Sequence, residues 1–290
     1  MILIKILRKW PASSLVMLAL LITYGIGLPL AFVLRPLEAS FGLRDELLSL
    51  WIMRWGATIA GFLVLAAVAG RRGFAVWWAQ LLRWRVAPGY YLFIYAGALL
   101  LFVTSLALVF ILYPPQAFAF ASSAPALLAS YLGEIAYITL TNGEETGWRF
   151  VLLGLLLTRM RLFEATLLVG GAWVFWHLPM YLFLGGGGLP MFLSFMAIGL
   201  GLSVLLSWLY KATDSLLLPI LFHGAVNATT YTFEKHFPGL AGALEALGPT
   251  GEWLYAAALA PVALAILVTR RQLFFGPVRF RDGENWAARD

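Results

Sequence analysis

Glu144, Glu145 and Arg149 stand together in "TNGEETGWRF", residues 141–150, between the apolar runs "IAYITL" and "VLLGLLL". His177 in "WVFWHLPMY" and His223 in "LFHGAVNATT" occupy two further apolar runs. Asn227 follows His223 by four residues, one turn on along the same helical face. Ionisable groups inside membrane-length apolar segments are costly and mark function by default. Glu145 and Arg149 are four apart with the Glu nearer the N-terminus, which suits a helical ion pair that braces its helix. Glu144 lies one position round, so one Arg cannot serve both carboxylates best. A spare carboxylate, two imidazoles and an amide remain, drawn from three helices.

A carboxylate in a low-dielectric cavity can take a proton from water, which is general-base work. Imidazoles and an amide can orient that water or donate to an oxyanion as a carbonyl becomes tetrahedral. Alternatively Glu144, His177 and His223 could bind a divalent metal such as zinc, which would supply the hydroxide itself. Both schemes hydrolyse an amide. Other membrane protease chemistries fail against the text. There is no H-E-x-x-H site and no Gly-x-Ser-Gly turn, and Asp45, Asp214, Asp282 and Asp290 offer no buried aspartyl pair. Cysteine is absent, which excludes disulfides and thiol ligands.

The elements that must position these groups are helices in a bilayer. Of the 290 residues 62% are hydrophobic and 12% charged, far more apolar than a soluble domain. The expected fold is all-α: a single polytopic transmembrane domain over 1–290, about eight helices enclosing an intramembrane cavity. Spans of about 20 apolar residues fall at about 13–34, 48–69, 90–113, 125–157, 162–185, 189–211, 214–232 and 252–269. The catalytic core is expected over about 125–232. The opening apolar run is too long for a signal-peptide core and reads as an uncleaved first span.

The stretch "RRGFAVWWAQLLRWRVAPG", residues 71–89, reads as an interfacial segment with Trp77, Trp78 and Trp84 at headgroup depth. "GGGG" at 185–188 reads as a flexible outer turn. With the N-terminus cytoplasmic, fifteen of the 20 Lys and Arg fall in inner segments, while Arg35, Arg44 and Lys235 fall outside and Arg54 and Arg149 lie within spans. This bias predicts both termini in the cytoplasm and accounts for the net charge of +6 without nucleic acid. So little chain outside the spans suits a prokaryotic inner membrane.

Depth supplies a check. At about 1.5 Å per residue, Glu144, His177, His223 and Asn227 come out roughly 20, 22, 14 and 20 Å above the inner ends of their spans, so they can line one cavity. Glu134, eleven residues before Glu145, reads as a mouth or packing residue. Arg54 reads as a snorkelling residue and Asp214 as a helix N-cap.

"EETGWR" at 144–149 resembles the Glu-Glu-x-x-x-Arg motif of the CPBP intramembrane proteases, a family that includes the CAAX prenyl endopeptidases and bacteriocin-processing or immunity proteins. "WVFWHLP" at 173–179 resembles their Phe-x-x-x-His motif, and "HGAVN" at 223–227 their His-x-x-x-Asn motif. The resemblance covers about 85 residues in matching order, with "DSLLLPILFH" leading into the last motif. It implies that Glu144 activates water with His177, and that His223 and Asn227 stabilise the oxyanion or complete a ligand set. Glu145 and Arg149 become structural support, and Trp173 stands where the motif has phenylalanine. Phe150 stands where many relatives carry glycine. The implied substrate is a peptide or protein, C-terminally prenylated or membrane-anchored, met in the lipid bilayer. The competing readings are a proton- or ion-coupled transporter, and a non-catalytic immunity or scaffold protein.

Overall fold

The computed structural model describes residues 2–40, 53–112, 123–237, 246–281 and 285–287, and all regular structure among them is helical. Arg44, Asp45, Asp282, Arg289, Asp290 and the first residues of the expected second span lie outside the described residues. The chain runs α1 (Ile2–Lys9), α2 (Pro11–Leu20), a π-helical stretch π1 (Leu21–Gly27), α3 (Leu28–Ser40), α4 (Gly56–Val68), α5 (Gly70–Leu81) and α6 (Pro88–Leu112). It continues through α7 (Ala124–Thr141), a second π-helical stretch π2 (Thr146–Leu152), α8 (Leu153–Leu156), α9 (Leu162–Phe183) and α10 (Gly188–Thr213). Then follow α11 (Leu217–His236), α12 (Pro249–Thr269) and α13 (Arg271–Phe275).

Five described helices are long and apolar enough to cross a membrane: Pro11–Leu34, Pro88–Ile111, Leu162–Phe183, Gly188–Thr213 and Pro249–Thr269. The protein is a polytopic, all-α integral membrane protein. Large apolar side chains such as Leu100, Ile111, Leu140 and Phe183 are exposed along the outside, as a lipid-facing surface requires. One continuous core, centred on Trp148, Phe150, Leu205 and Phe222, joins the helices inside.

The run 125–157 is not one helix. It breaks at Asn142–Glu144, where Asn142 turns extended (φ −84°, ψ 91°), and regular structure resumes at Glu145. Asn and Gly are poor helix formers, and the Asn142-Gly143 pair is a turn signal. A break in an apolar surrounding leaves carbonyls without helical partners, and these must find donors inside the protein. Trp55 Nε1 donates to Thr141 O at 3.0 Å, and Thr58 Oγ1 donates to Gly143 O. Glycine is needed at 143, since a Cβ there would lie 2.7 Å from the Trp55 ring.

Just beyond, π2 packs closely on α4. A Cβ on Gly147 would meet the Ala57 carbonyl oxygen at 2.3 Å, and one on Gly61 would meet the Gly147 Cα at 3.1 Å. The segment 70–81 is a helix, but Trp77 does not join Trp78 and Trp84 at the exposed surface. It is half-buried, edge-on to Phe62 at 5.0 Å, and donates through Nε1 to Thr146 Oγ1 at 3.2 Å. An indole N–H beside an available hydroxyl favours that bond over solvation at the interface.

Asp214 is not an N-cap either. It closes α10 in the left-handed conformation (φ 48°), which Asp tolerates, and its carboxylate bridges Lys211 Nζ at 3.1 Å and Arg281 Nε at 2.8 Å. Glu134 pairs with the exposed Lys235 at 3.7 Å, a surface contact of little energetic weight. Arg54 is half-buried.

The contact of π2 with α4 predicts that Gly147→Ala destabilises the protein by about 1–3 kcal/mol, the usual cost of overpacking against unyielding backbone. Gly171, with nothing within 4 Å of its added Cβ, is the control. Thermal unfolding in detergent should show a lowered midpoint for Gly147→Ala and an unchanged or higher one for Gly171→Ala.

Candidate active site

The break in the helix takes Glu144 out of regular structure and leaves Glu145 at the start of the next turn. Both carboxylates are buried, but they have different partners. Glu144 Oε2 accepts a hydrogen bond from Trp173 Nε1 at 2.6 Å. Glu145 is shared: Oε2 lies 3.1 Å from Arg149 Nε, and Oε1 accepts from His223 Nδ1 at 2.7 Å. Glu145 is therefore more than a brace for its own helix. It ties the segment that begins at the break to α11.

Arg149 is fully buried. None of its N–H groups makes a well-aligned hydrogen bond, and the guanidinium instead lies over the Trp173 ring, 5.1 Å from its centroid. The ring quadrupole and the Glu145 carboxylate together compensate the charge. Trp173 also stands edge-on to both histidines, with centroids 5.5 Å from His177 and 5.4 Å from His223. One indole thus touches Glu144, Arg149, His177 and His223. The replacement of phenylalanine by tryptophan adds an N–H donor aimed at the candidate base.

The two histidines are oriented alike. His177 Nδ1 lies 2.9 Å from the Trp173 carbonyl oxygen, and His223 Nδ1 faces the Glu145 carboxylate. Carbonyl and carboxylate oxygens only accept, so each ring carries a proton on Nδ1 and leaves Nε2 for another partner. Glu144 and His223 both lie within electrostatic range of His177. Asn227 is half-buried one turn beyond His223 on α11. It joins none of the hydrogen bonds that link the other residues.

Two Nε2 atoms and a carboxylate are donors of the type zinc takes. Among the described residues, however, no three His, Asp or Glu side chains are gathered closely enough to hold a metal ion.

Several residues of the site's frame escape a motif reading. Trp55, Thr58 and Trp77 bond the broken helix from outside, and Thr23 and Tyr24 of π1 bond to Trp176. The Asn-Gly pair at 142–143 is the local signal that points to the first two, because a turn inside an apolar span creates carbonyl acceptors that need donors. No local signal marks Thr23 or Tyr24. Phe150 has a partner of matching shape: Trp286 stacks on it at 5.3 Å and 25°, and also lies against Gly154, where a Cβ would meet the indole at 2.9 Å.

Residues 121–229 match the family described as Type II CAAX prenyl endopeptidase Rce1-like. Over 97 residues the chain is 32% identical to CAAX prenyl protease 2 of Methanococcus maripaludis. That alignment covers 29% of this chain and 34% of the relative, so the chain spans about a third of the length of the curated relative it matches. All three motifs fall inside the matched segment, and the pairs Glu144–Trp173 and Glu145–His223 lie within it.

Removing one partner from a buried ion pair strands the other charge. Arg149→Met should therefore cost about 3–5 kcal/mol of stability, read as a loss of folded protein on size exclusion and a lowered unfolding midpoint. In its motifs and its matched family model, set in an all-helical membrane fold, the segment 121–229 of this chain is similar to the Type II CAAX prenyl endopeptidase Rce1-like family.

Proposed function

We propose that this protein is an intramembrane endopeptidase of the CAAX prenyl type that hydrolyses a peptide bond with water activated by Glu144. The observation that carries this reading is the convergence of Glu144, His177 and His223 on the Trp173 ring, with the carboxylate anchored through one oxygen and both imidazoles anchored through Nδ1. Catalytic groups fixed by such supports need little reorganisation during the reaction.

In the proposed cycle the free oxygen of Glu144 takes a proton from a water that also hydrogen-bonds to Nε2 of His177. The water oxygen forms a bond to the substrate carbonyl carbon, and the carbonyl electrons move onto its oxygen. The oxyanion lies against His223, whose ring is held through Nδ1 by Glu145, and accepts a hydrogen bond from the Asn227 amide. As the tetrahedral carbon collapses, the carbon–nitrogen bond breaks and the proton held by Glu144 passes to the leaving amine. Arg149 holds Glu145 in place.

The substrate class is a peptide or protein with a prenylated C-terminal cysteine, whose hydrocarbon chain lies in the bilayer beside the helices. The name of the archaeal relative supports this choice, as does a site embedded among membrane helices. The distribution of Lys and Arg supports an orientation with both termini in the cytoplasm, and the proposed setting is a prokaryotic inner membrane.

The test is cleavage by detergent-purified protein of quenched peptides with and without a C-terminal prenyl cysteine, with metal content measured on the same sample. Glu144→Gln and His177→Ala should each lower kcat by about 10²–10⁴-fold, and Asn227→Ala by about 10²–10³-fold, with folding retained. Preference for the prenylated peptide would support the substrate class. Cleavage that survives in both Glu144→Gln and His177→Ala would overturn the assignment of these residues, whereas a wild type that cleaves no peptide would favour a transporter or a non-catalytic protein, with proton flux in liposomes as the direct assay.

A further inference from the structure

The turn of α9 that carries His177 is short of a rung. Pro179 has no N–H, so the carbonyl of Phe175 loses its usual helical donor, and a proline ring also pushes against that carbonyl. A histidine two residues before such a weak point needs support from elsewhere if its height is to be defined.

That support comes from the first long span, outside the matched segment 121–229. Tyr24 donates its hydroxyl to the Trp176 carbonyl oxygen at 2.7 Å. Trp176 Nε1 donates to Thr23 Oγ1 at 3.1 Å, and Thr23 in turn donates to the Met53 carbonyl oxygen at 3.1 Å. Trp176 is buried, and its ring stands edge-on to His177 with centroids 4.7 Å apart. Thr23 can reach in because Gly56 opposes it, where a Cβ would sit 2.0 Å from Thr23 Oγ1. Thr23 and Tyr24 lie in π1, and π-helical insertions are rare and concentrate at functional sites. The second such stretch, π2, follows directly on Glu145. Tyr24 also lies within electrostatic range of Glu144.

We infer that Tyr24 and Thr23 are positioning residues for His177: π1 grips Trp176 by its carbonyl and its indole and so fixes the imidazole against Glu144. This rests on the proposed peptidase reading for its catalytic consequence, but not for its structural one. The first span is then part of the machinery rather than a membrane anchor. The two bonds restrain different parts of one residue. The Tyr24 bond holds the backbone of the weakened turn, while the Thr23 bond sets the ring that stands against His177.

The experiment uses full-length protein in detergent. Tyr24→Phe keeps the ring and removes only the hydroxyl, and Thr23→Val keeps the shape and removes the acceptor. Each should lower kcat by about tenfold, the scale of one lost hydrogen bond, with KM within about twofold. A change in KM alone would place Tyr24 in substrate binding and overturn the inference. Protein labelled with ¹⁵N-histidine supplies a readout free of activity, because the chain has 3 histidines and His177→Ala identifies the His177 signals. In both variants those signals should shift while those of His223 and His236 stay in place. Unshifted His177 signals, or unchanged kcat beside a wild type that cleaves and a Glu144→Gln variant that does not, would sink the inference. A wild type that cleaves no peptide counts against the peptidase reading alone, and the histidine spectra still decide whether π1 holds His177.

Discussion

Backbone carbonyls released in an apolar medium must be given donors, and the architecture of this protein follows from one place where that demand is met. The helix that begins at Ala124 ends at Thr141, and the chain leaves helical conformation across Asn142–Glu144. An uninterrupted helix would hold Glu144 in one turn with Glu145. The break frees it from that geometry and lets its carboxylate reach the indole of α9. The cost is a set of unpaired acceptors, answered by the indole of Trp55, just before α4, and the hydroxyl of Thr58 within it. Close approach is required for this, and Gly61, Gly143 and Gly147 allow it. Removing water from such a region makes the bonds stronger and their absence more expensive.

The same economy governs the charges. Glu145, Arg149 and His223 form a buried group in which one carboxylate meets two potential cations, and Trp173 spreads its ring beneath the guanidinium. Trp173 carries a load that phenylalanine could share only in part. The face of the ring compensates Arg149, its edge packs against the histidines, and its N–H holds Glu144. A substitution that looks conservative in the motif therefore changes how the candidate base is held. The histidines show the matching pattern, each with Nδ1 bound to a protein acceptor and Nε2 left over. A ring fixed in tautomer and orientation is prepared for water or substrate in a way that a free ring is not.

The chain divides into a segment that carries the chemistry and a segment that holds it. Residues 121–229 contain every motif residue, while the donors to the break and the grip on Trp176 come from residues 23–77. The motifs lie in the first, where the reacting groups need particular residue types. Support can be given by any donor that reaches the right acceptor.

Read alone, the sequence determined the all-helical membrane class and marked the ionisable groups that stand inside its apolar runs. Apolar runs of membrane length leave little freedom, and ionisable residues inside them are conspicuous. The pairing of Glu145 with Arg149 was legible from a spacing of four residues, since neighbours on one helix face are set by local geometry. Tertiary structure alone decided that Glu145 also holds His223, that Trp173 holds Glu144, that Trp77 turns inward and that Asp214 closes α10 in the left-handed conformation. It also placed Thr23 and Tyr24 against a residue some 150 positions away. These depend on which helices lie side by side and how far they are rotated. Hydropathy is nearly uniform round such helices, so the pattern of side chains that reveals a buried face in a soluble protein is missing here. Packing against small residues and the search of each buried donor for an acceptor fix those rotations instead, and both act only once the helices have met.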